Sequence, residues 1–342
     1  MQHRIELPAE LKTALWITVA MLVCAEVLGL LGAVEAPHAK VAAQFSAGFV
    51  IHDYGSLALH FVLLFAFVHP GWRAAGFVTV GGMALDVLLL QGFDRRDWGF
   101  TTWLNYLGGG FGVACLAVFA WWMARGDDRQ RAKGAALLAA SMIITVYVLS
   151  IESYLRLVGK LHPLTYDFIA HLIDGTFGFQ PSETIAVVMR NLPGGQELLS
   201  FSYRALPYAF PVLFALQLRD GARFPANVYT ILVTSAIIVT VLYQFCPIAG
   251  PYYAFGTDFP LSVPPLEHMP HAPSIIRESA RNGMPSMHLG WSLLLWMNAG
   301  YVGRWARAGF AVLVGLTVLA TLGLGEHYLV DLVAGVPAAV AV

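Results

Sequence analysis

Ten apolar runs, most of them close to the length of a bilayer crossing, constrain this chain more than any other feature. They cover residues 11–34, 47–69, 74–91, 103–124, 135–157, 199–218, 226–246, 286–302, 308–324 and 328–342. A helix needs about 20 mostly apolar residues to cross the hydrocarbon core. Only 12% of the residues are charged, against roughly 25% in a soluble domain, so an aqueous fold could not cover this much apolar sequence. The fold class expected is all-α: a polytopic membrane protein of about ten transmembrane helices. The first run exceeds a signal-peptide core and lacks a small-residue cleavage site, and is read as a retained span. The last run is about 22 Å long as a helix, so the sequence is expected to stop inside its final span.

Lys and Arg near the ends of the runs set the orientation. Arg4 and Lys12, Arg73, the group Arg125, Arg129, Arg131 and Lys133, the pair Arg219 and Arg223, and the pair Arg304 and Arg307 occupy alternate connections. All fall on one side if ten spans alternate. Both termini are therefore expected in the cytoplasm. The longer connections 35–46, 92–102, 158–198 and 247–285 are expected at the periplasmic or lumenal face. Residues 158–198 are too apolar for a solvated loop and too interrupted to span, which suggests interfacial helices. The proline-rich stretch 260–273 is expected to be non-helical. The charged break 125–133 is the best domain boundary, separating an N-terminal four-helix membrane region, 1–134, from residues 135–342. The cysteines Cys24, Cys115 and Cys246 are far apart in or beside apolar runs, and imply neither a metal site nor a disulfide framework.

Two polar stretches open apolar runs on the expected outer face: Arg281-Asn282-Gly283-Met284-Pro285-Ser286-Met287-His288 and Gly325-Glu326-His327-Tyr328-Leu329-Val330-Asp331. Two spans of opposite direction lie between them, so His288 and His327 return to the same face. His327 and Asp331 stand four apart at a helix start and share a helix face. A carboxylate on one imidazole nitrogen fixes the tautomer and frees the other as base or nucleophile; the bland alternative is a satisfied pair at a helix end. The helix beginning near Ser286 directs N–H groups and positive dipole outward, an arrangement that binds phosphate. Arg277 and Arg281 could add guanidinium donors. The alternative is ordinary capping by Ser286 beside solvated arginines.

Arg204 sits inside the outer end of the run 199–218, where an ionisable group marks a site or snorkels to the headgroups. Glu26, His60 and Asp86 in the first four runs stand alone in sequence and are read as interhelical hydrogen-bonding groups. Glu267, His268 and His271 lie in irregular chain with no third metal ligand in pattern. No metal or cofactor is expected, and no nucleic acid partner. Gly108-Gly109-Gly110 with Gly112 suggests close helix packing rather than a nucleotide loop.

Gly283-Met284-Pro285-Ser286-Met287-His288 with Leu289-Gly290-Trp291, and Glu326-His327-Tyr328-Leu329-Val330-Asp331-Leu332-Val333-Ala334-Gly335, resemble two signature motifs of the type 2 phosphatidic acid phosphatase superfamily. They look most like its inositol phosphorylceramide synthase branch, as do Pro247-Ile248-Ala249-Gly250-Pro251 and the stretch from Tyr166-Asp167 to Pro181-Ser182. The resemblance covers roughly residues 135–342 and implies a six-helix catalytic membrane domain of phosphatase or phosphotransferase type. It implies that His327 attacks phosphorus, Asp331 orients it, and His288 protonates the leaving group and then serves the acceptor as base. Two features depart from the superfamily's phosphatases. Thr321 stands where a Ser-Arg pair is expected before the nucleophile, and no Lys-led motif precedes Pro285. Arg277, Arg281 and Arg204, with Ser286, are the residues expected to bind phosphate instead.

The reading is an integral membrane enzyme acting on a phospholipid or lipid phosphate in the bilayer. It transfers a phosphate-bearing headgroup to a lipid or polyol, or alternatively to water as a lipid phosphatase. A transporter is the reading from another class; related halves and broken helices at the midplane would favour it. The polar residues instead concentrate at one face, and the two halves do not look alike.

Overall fold

The structure is a computed structural model and describes residues 7–39, 41, 54–90, 100–219, 227–276 and 279–342. The chain is mostly helical. Each of the ten apolar runs contains a helix among its described residues: Ala9–Leu30, Tyr54–Phe67, Trp72–Leu90, Phe100–Arg125, Asp128–Leu161, Gly195–Arg219, Asn227–Leu242, Met287–Ala299, Arg304–Gly323 and Leu329–Val340. Among the described residues, Ala9–Leu30, Asp128–Leu161 and Arg304–Gly323 are long and apolar enough to cross a membrane. Large apolar side chains such as Trp16, Phe201, Val312 and Trp305 are exposed on helix surfaces, an arrangement suited to lipid as solvent. The basic residues Arg4 and Arg223, and parts of the connections 35–46 and 92–102, lie outside the described residues.

The chain packs as two compact units. The first comprises Met1–Ser150 and Tyr208–Thr230. Its glycines serve close helix packing: a Cβ on Gly112 would lie 2.7 Å from that of Ala58, and one on Gly110 would lie 2.5 Å from Oδ1 of Asp86. The buried Asp86 carboxylate accepts a hydrogen bond from Gly110 N at 2.6 Å, and His60 lies against the ring of Tyr208 at 4.7 Å. Glu26 is not isolated: it accepts from His38 N at 2.8 Å, and its other carboxylate oxygen lies 2.5 Å from Nδ1 of the same histidine. The chain reversal after Leu30 creates a pair that helical spacing alone could not show.

The second unit comprises Ile151–Pro207 and Ile231–Val342. Residues 158–198 contain the helices Asp167–Gly175 and Pro181–Asn191, the latter opened by a proline at its first position, where the missing N–H costs nothing. Residues 247–285 are largely irregular. They include the helix Pro251–Phe255, a 3₁₀ turn at Leu266–His268 inside the stretch expected to lack helix, and the strand Ser274–Ile275. That strand pairs antiparallel with Leu164–Thr165, and the Thr165 and Ser274 hydroxyls meet at 2.9 Å.

Leu289, Leu322 and Leu332 form a core between the last three helices, and Val158, Val239, Tyr243 and Met287 form a second. Gly325, at φ 72°, reverses the chain after Arg304–Gly323, and its N–H donates to Leu322 O at 3.0 Å; an L side chain there would be strained. The helix Leu329–Val340 is seated directly on the Pro285–Ser286 turn. Ser286 N donates to Asp331 O at 3.0 Å, and a Cβ on Gly335 would stand 2.7 Å from Ser286 O. Gly335→Ala should therefore force these backbones apart. The expected cost is about 1–3 kcal/mol, the range for overpacking, read as a lower thermal midpoint in detergent; an unchanged midpoint would contradict this seat.

Candidate active site

Both histidines stand at helix starts because short polar sequence interrupts the apolar periodicity just before them. Ser286 caps Met287–Ala299, its hydroxyl accepting from Leu289 N at 3.5 Å, the residue type and position that capping favours. Tyr328 occupies the cap position of Leu329–Val340, and its N–H donates to Oδ2 of Asp331 at 2.9 Å. The peptide before it is anchored upstream, since Glu326 N and His327 N both donate to Thr321 O, at 3.0 and 3.1 Å. Thr321 thus brackets the turn through its carbonyl. Ser182 Oγ donates to His327 O at 3.0 Å and closes the other side.

This scaffold brings the expected pair together. His288 Nδ1 lies 3.3 Å from His327 Nε2. On the far side of the His327 ring, Nδ1 stands 3.6 Å from Oδ2 of Asp331, with His327 3% exposed and Asp331 fully buried. The carboxylate oxygen that faces Nδ1 is the one accepting from Tyr328 N, so the helix start aims it at the imidazole. A carboxylate behind Nδ1 favours the tautomer with hydrogen there and leaves Nε2 with its lone pair. The half-buried His288 stacks on Tyr203, with ring centroids 4.3 Å apart and planes 25° apart, and meets Trp291 edge-on at 6.1 Å.

The two helix ends differ in what they can bind. Leu329 N and Val330 N donate to the Asp174 carboxylate at 2.6 and 3.0 Å. With Tyr328 N held by Asp331, the Leu329–Val340 end is already occupied by carboxylates and closed to another anion. At the Met287–Ala299 end the cap is a neutral serine hydroxyl. Helix starts carry partial positive charge, which favours anions.

Asp167 and Asp174 lie on the buried face of Asp167–Gly175 with Ala170 and His171. Asp167 accepts from Ala249 N and Gly250 N, the latter at 2.7 Å, and so holds the Pro247–Pro251 loop. Burial pushes both carboxyls up to about 6, against their backbone hydrogen bonds. Burial also lowers His171 to about 4 and raises the Glu326 carboxyl. Glu326 accepts from the Tyr203 hydroxyl at 3.3 Å and from that of Tyr253 at 3.5 Å. Sequence reasoning named neither Tyr203 nor Asp174 as site residues. The run of polar residues at 167, 171 and 174, one helix face within an apolar segment, was the available signal for Asp174.

The structure places two of the three arginines. Arg281 is 2% exposed, and its guanidinium turns to the protein backbone. Nε donates to His162 O at 3.0 Å, Nη1 to Ser279 O and Oγ at 2.8 and 2.7 Å, and Nη2 to Ile276 O. It ties the loop before His288 to residue 162, leaving little of its donor fork for phosphate. Arg204 is exposed on Gly195–Arg219, the disposition of a snorkelling side chain. Arg277 lies outside the described residues.

A family model described as the PAP2 superfamily matches residues 170–342, the stretch carrying Asp174, Tyr203, His288, His327 and Asp331. Comparisons with curated proteins and with solved structures gave no match.

Asp174 carries a pH signature. Its folded value of about 6 exceeds the ordinary 3.8, so the fold favours the protonated group; its contribution to stability is whole below the ordinary value and is lost as pH rises through about 6. The difference in thermal midpoint between wild type and Asp174→Asn should therefore shift against wild type between about pH 4 and 7. A difference independent of pH would contradict this assignment.

Proposed function

The chain belongs to the PAP2 superfamily, whose members are phosphatases or phosphotransferases, and we propose that it is an integral membrane lipid phosphotransferase working through His327, Asp331 and His288. The observation that carries this reading is the contact of His288 Nδ1 with His327 Nε2 at 3.3 Å, with Asp331 behind the same imidazole. Nε2 of His327 attacks phosphorus as the P–O bond to the leaving group breaks, and His288 gives that oxygen its proton. In the second half-reaction His288 takes the proton of the acceptor hydroxyl, whose oxygen attacks phosphorus as the N–P bond breaks. Asp331 holds the His327 tautomer and compensates the positive charge on the ring. The start of Met287–Ala299 receives the phosphoryl oxygens beside Ser286.

Residues 135–342 form the catalytic membrane domain in this reading, and 1–134 an N-terminal membrane region. All ten apolar helices cross the bilayer with both termini in the cytoplasm, and the histidines act at the periplasmic or lumenal face, as the basic connections suggest. The Pro247–Pro251 loop, held by Asp167, and the sequence around His288 and His327 resemble the inositol phosphorylceramide synthase branch. They favour an organic hydroxyl over water as acceptor.

The test is turnover of labelled lipid phosphates by purified protein in nanodiscs, with and without candidate lipid and polyol alcohols. His327→Ala should lower the rate by about 10⁴-fold or more, in the range for loss of a nucleophile, and wild type should form a new phosphate ester of the added alcohol. Free phosphate or free phosphorylated headgroup as sole product would make water the acceptor and the enzyme a phosphatase. Undiminished turnover by His327→Ala would refute the mechanism.

A further inference from the structure

Three contacts define the plane and direction of the His288 ring. Its face lies on Tyr203 at 4.3 Å, its flank meets Trp291 at 6.1 Å, and its Nδ1 meets His327. Trp291 is itself fixed, since its Nε1 donates to Ser235 Oγ at 2.9 Å. Stacking restricts rotation of an imidazole about its Cβ–Cγ bond, while the contact with His327 selects which edge faces the phosphorus. The stack is useful only while Tyr203 is held. That hold comes from Glu326, the residue joined by a peptide bond to His327, whose Oε2 accepts from the Tyr203 hydroxyl at 3.3 Å. The Tyr253 hydroxyl donates to the same oxygen at 3.5 Å.

We infer that Tyr203, anchored by Glu326, is a positioning residue that aligns His288 for proton transfer to the leaving group. Glu326 thereby registers both histidines: its backbone carries His327, braced on Thr321 O, and its carboxylate holds the ring on which His288 lies. This role rests on His288 as the proton donor of the proposed mechanism. It also accounts for a carboxylate beside a phosphoryl site, where a negative charge would otherwise repel the substrate. Its partners are two phenol hydroxyls.

Leaving-group dependence separates this role from a general structural one. An alkoxide needs the proton of His288 to depart, whereas p-nitrophenolate leaves without it. Single-turnover release is measured for full-length protein in nanodiscs, using matched alkyl and p-nitrophenyl esters made both as phosphate monoesters and as phosphodiesters. Tyr203→Leu should slow alcohol release about 10²-fold, the lower range for a general acid, but slow p-nitrophenol release by less than about fivefold. Tyr203→Phe keeps the ring without the anchor and should lose about fivefold to tenfold on the alkyl ester, with Glu326→Gln similar. Equal losses on both leaving groups, or no loss on either, would overturn the positioning role while leaving the histidine mechanism standing. Wild-type protein releasing neither leaving group from any ester would refute that mechanism, and this role with it.

Discussion

The hydrogen bond from Ser286 N to Asp331 O is the constraint on which the rest of the site depends. It joins the residue capping the His288 helix to the third residue of the helix that follows His327. With it in place, two histidines 39 positions apart in sequence face one another. The glycine at 335 lets the Ser286 carbonyl approach the helix backbone, where any Cβ would collide with it. Leu289, Leu322 and Leu332 then fill the space between the three helices. Where large apolar side chains stand exposed on helix surfaces, burial alone gives little directional specificity between helices. Close backbone approach through a small residue supplies it instead.

Charge is distributed with equal economy around this contact. The second unit buries Asp167, Asp174 and Asp331 around the turn that precedes Leu329–Val340, and each carboxylate accepts from backbone N–H. Two of them close the start of Leu329–Val340, which makes that helix a rigid carrier of His327 and Asp331 rather than an anion site. The neighbouring start of Met287–Ala299 is capped by the neutral Ser286 hydroxyl instead. The two helix ends thus differ in charge, and Asp174 is what distinguishes them. Arg281 belongs to the same framework, bracing the loop that leads into His288.

Much of this was legible in the sequence. Apolar runs of span length located the helices, and the spacing of His327 and Asp331 put them on one face whatever the tertiary fold. Counting spans predicted that both histidines return to one face, and the structure brings their nitrogens into contact. The partners that hold Arg281, backbone carbonyls at 162, 276 and 279, leave no mark in residue type. Asp174 and Tyr203 were missed for a related reason. A carboxylate capping a helix more than a hundred positions away, and a phenol stacked across the bundle, depend on tertiary contacts that no local pattern encodes. Glu26 found His38 only through a reversal of the chain.

The central claim is that phosphorus passes through Nε2 of His327. The most direct measurement is to quench the full-length protein in alkali during turnover of a phosphorus-labelled lipid and to locate the label by peptide mass analysis and phosphorus NMR. The account predicts an acid-labile phosphoramidate on His327, lost in His327→Ala. A label on His288, or continued turnover with no phosphoryl group ever on His327, would contradict it.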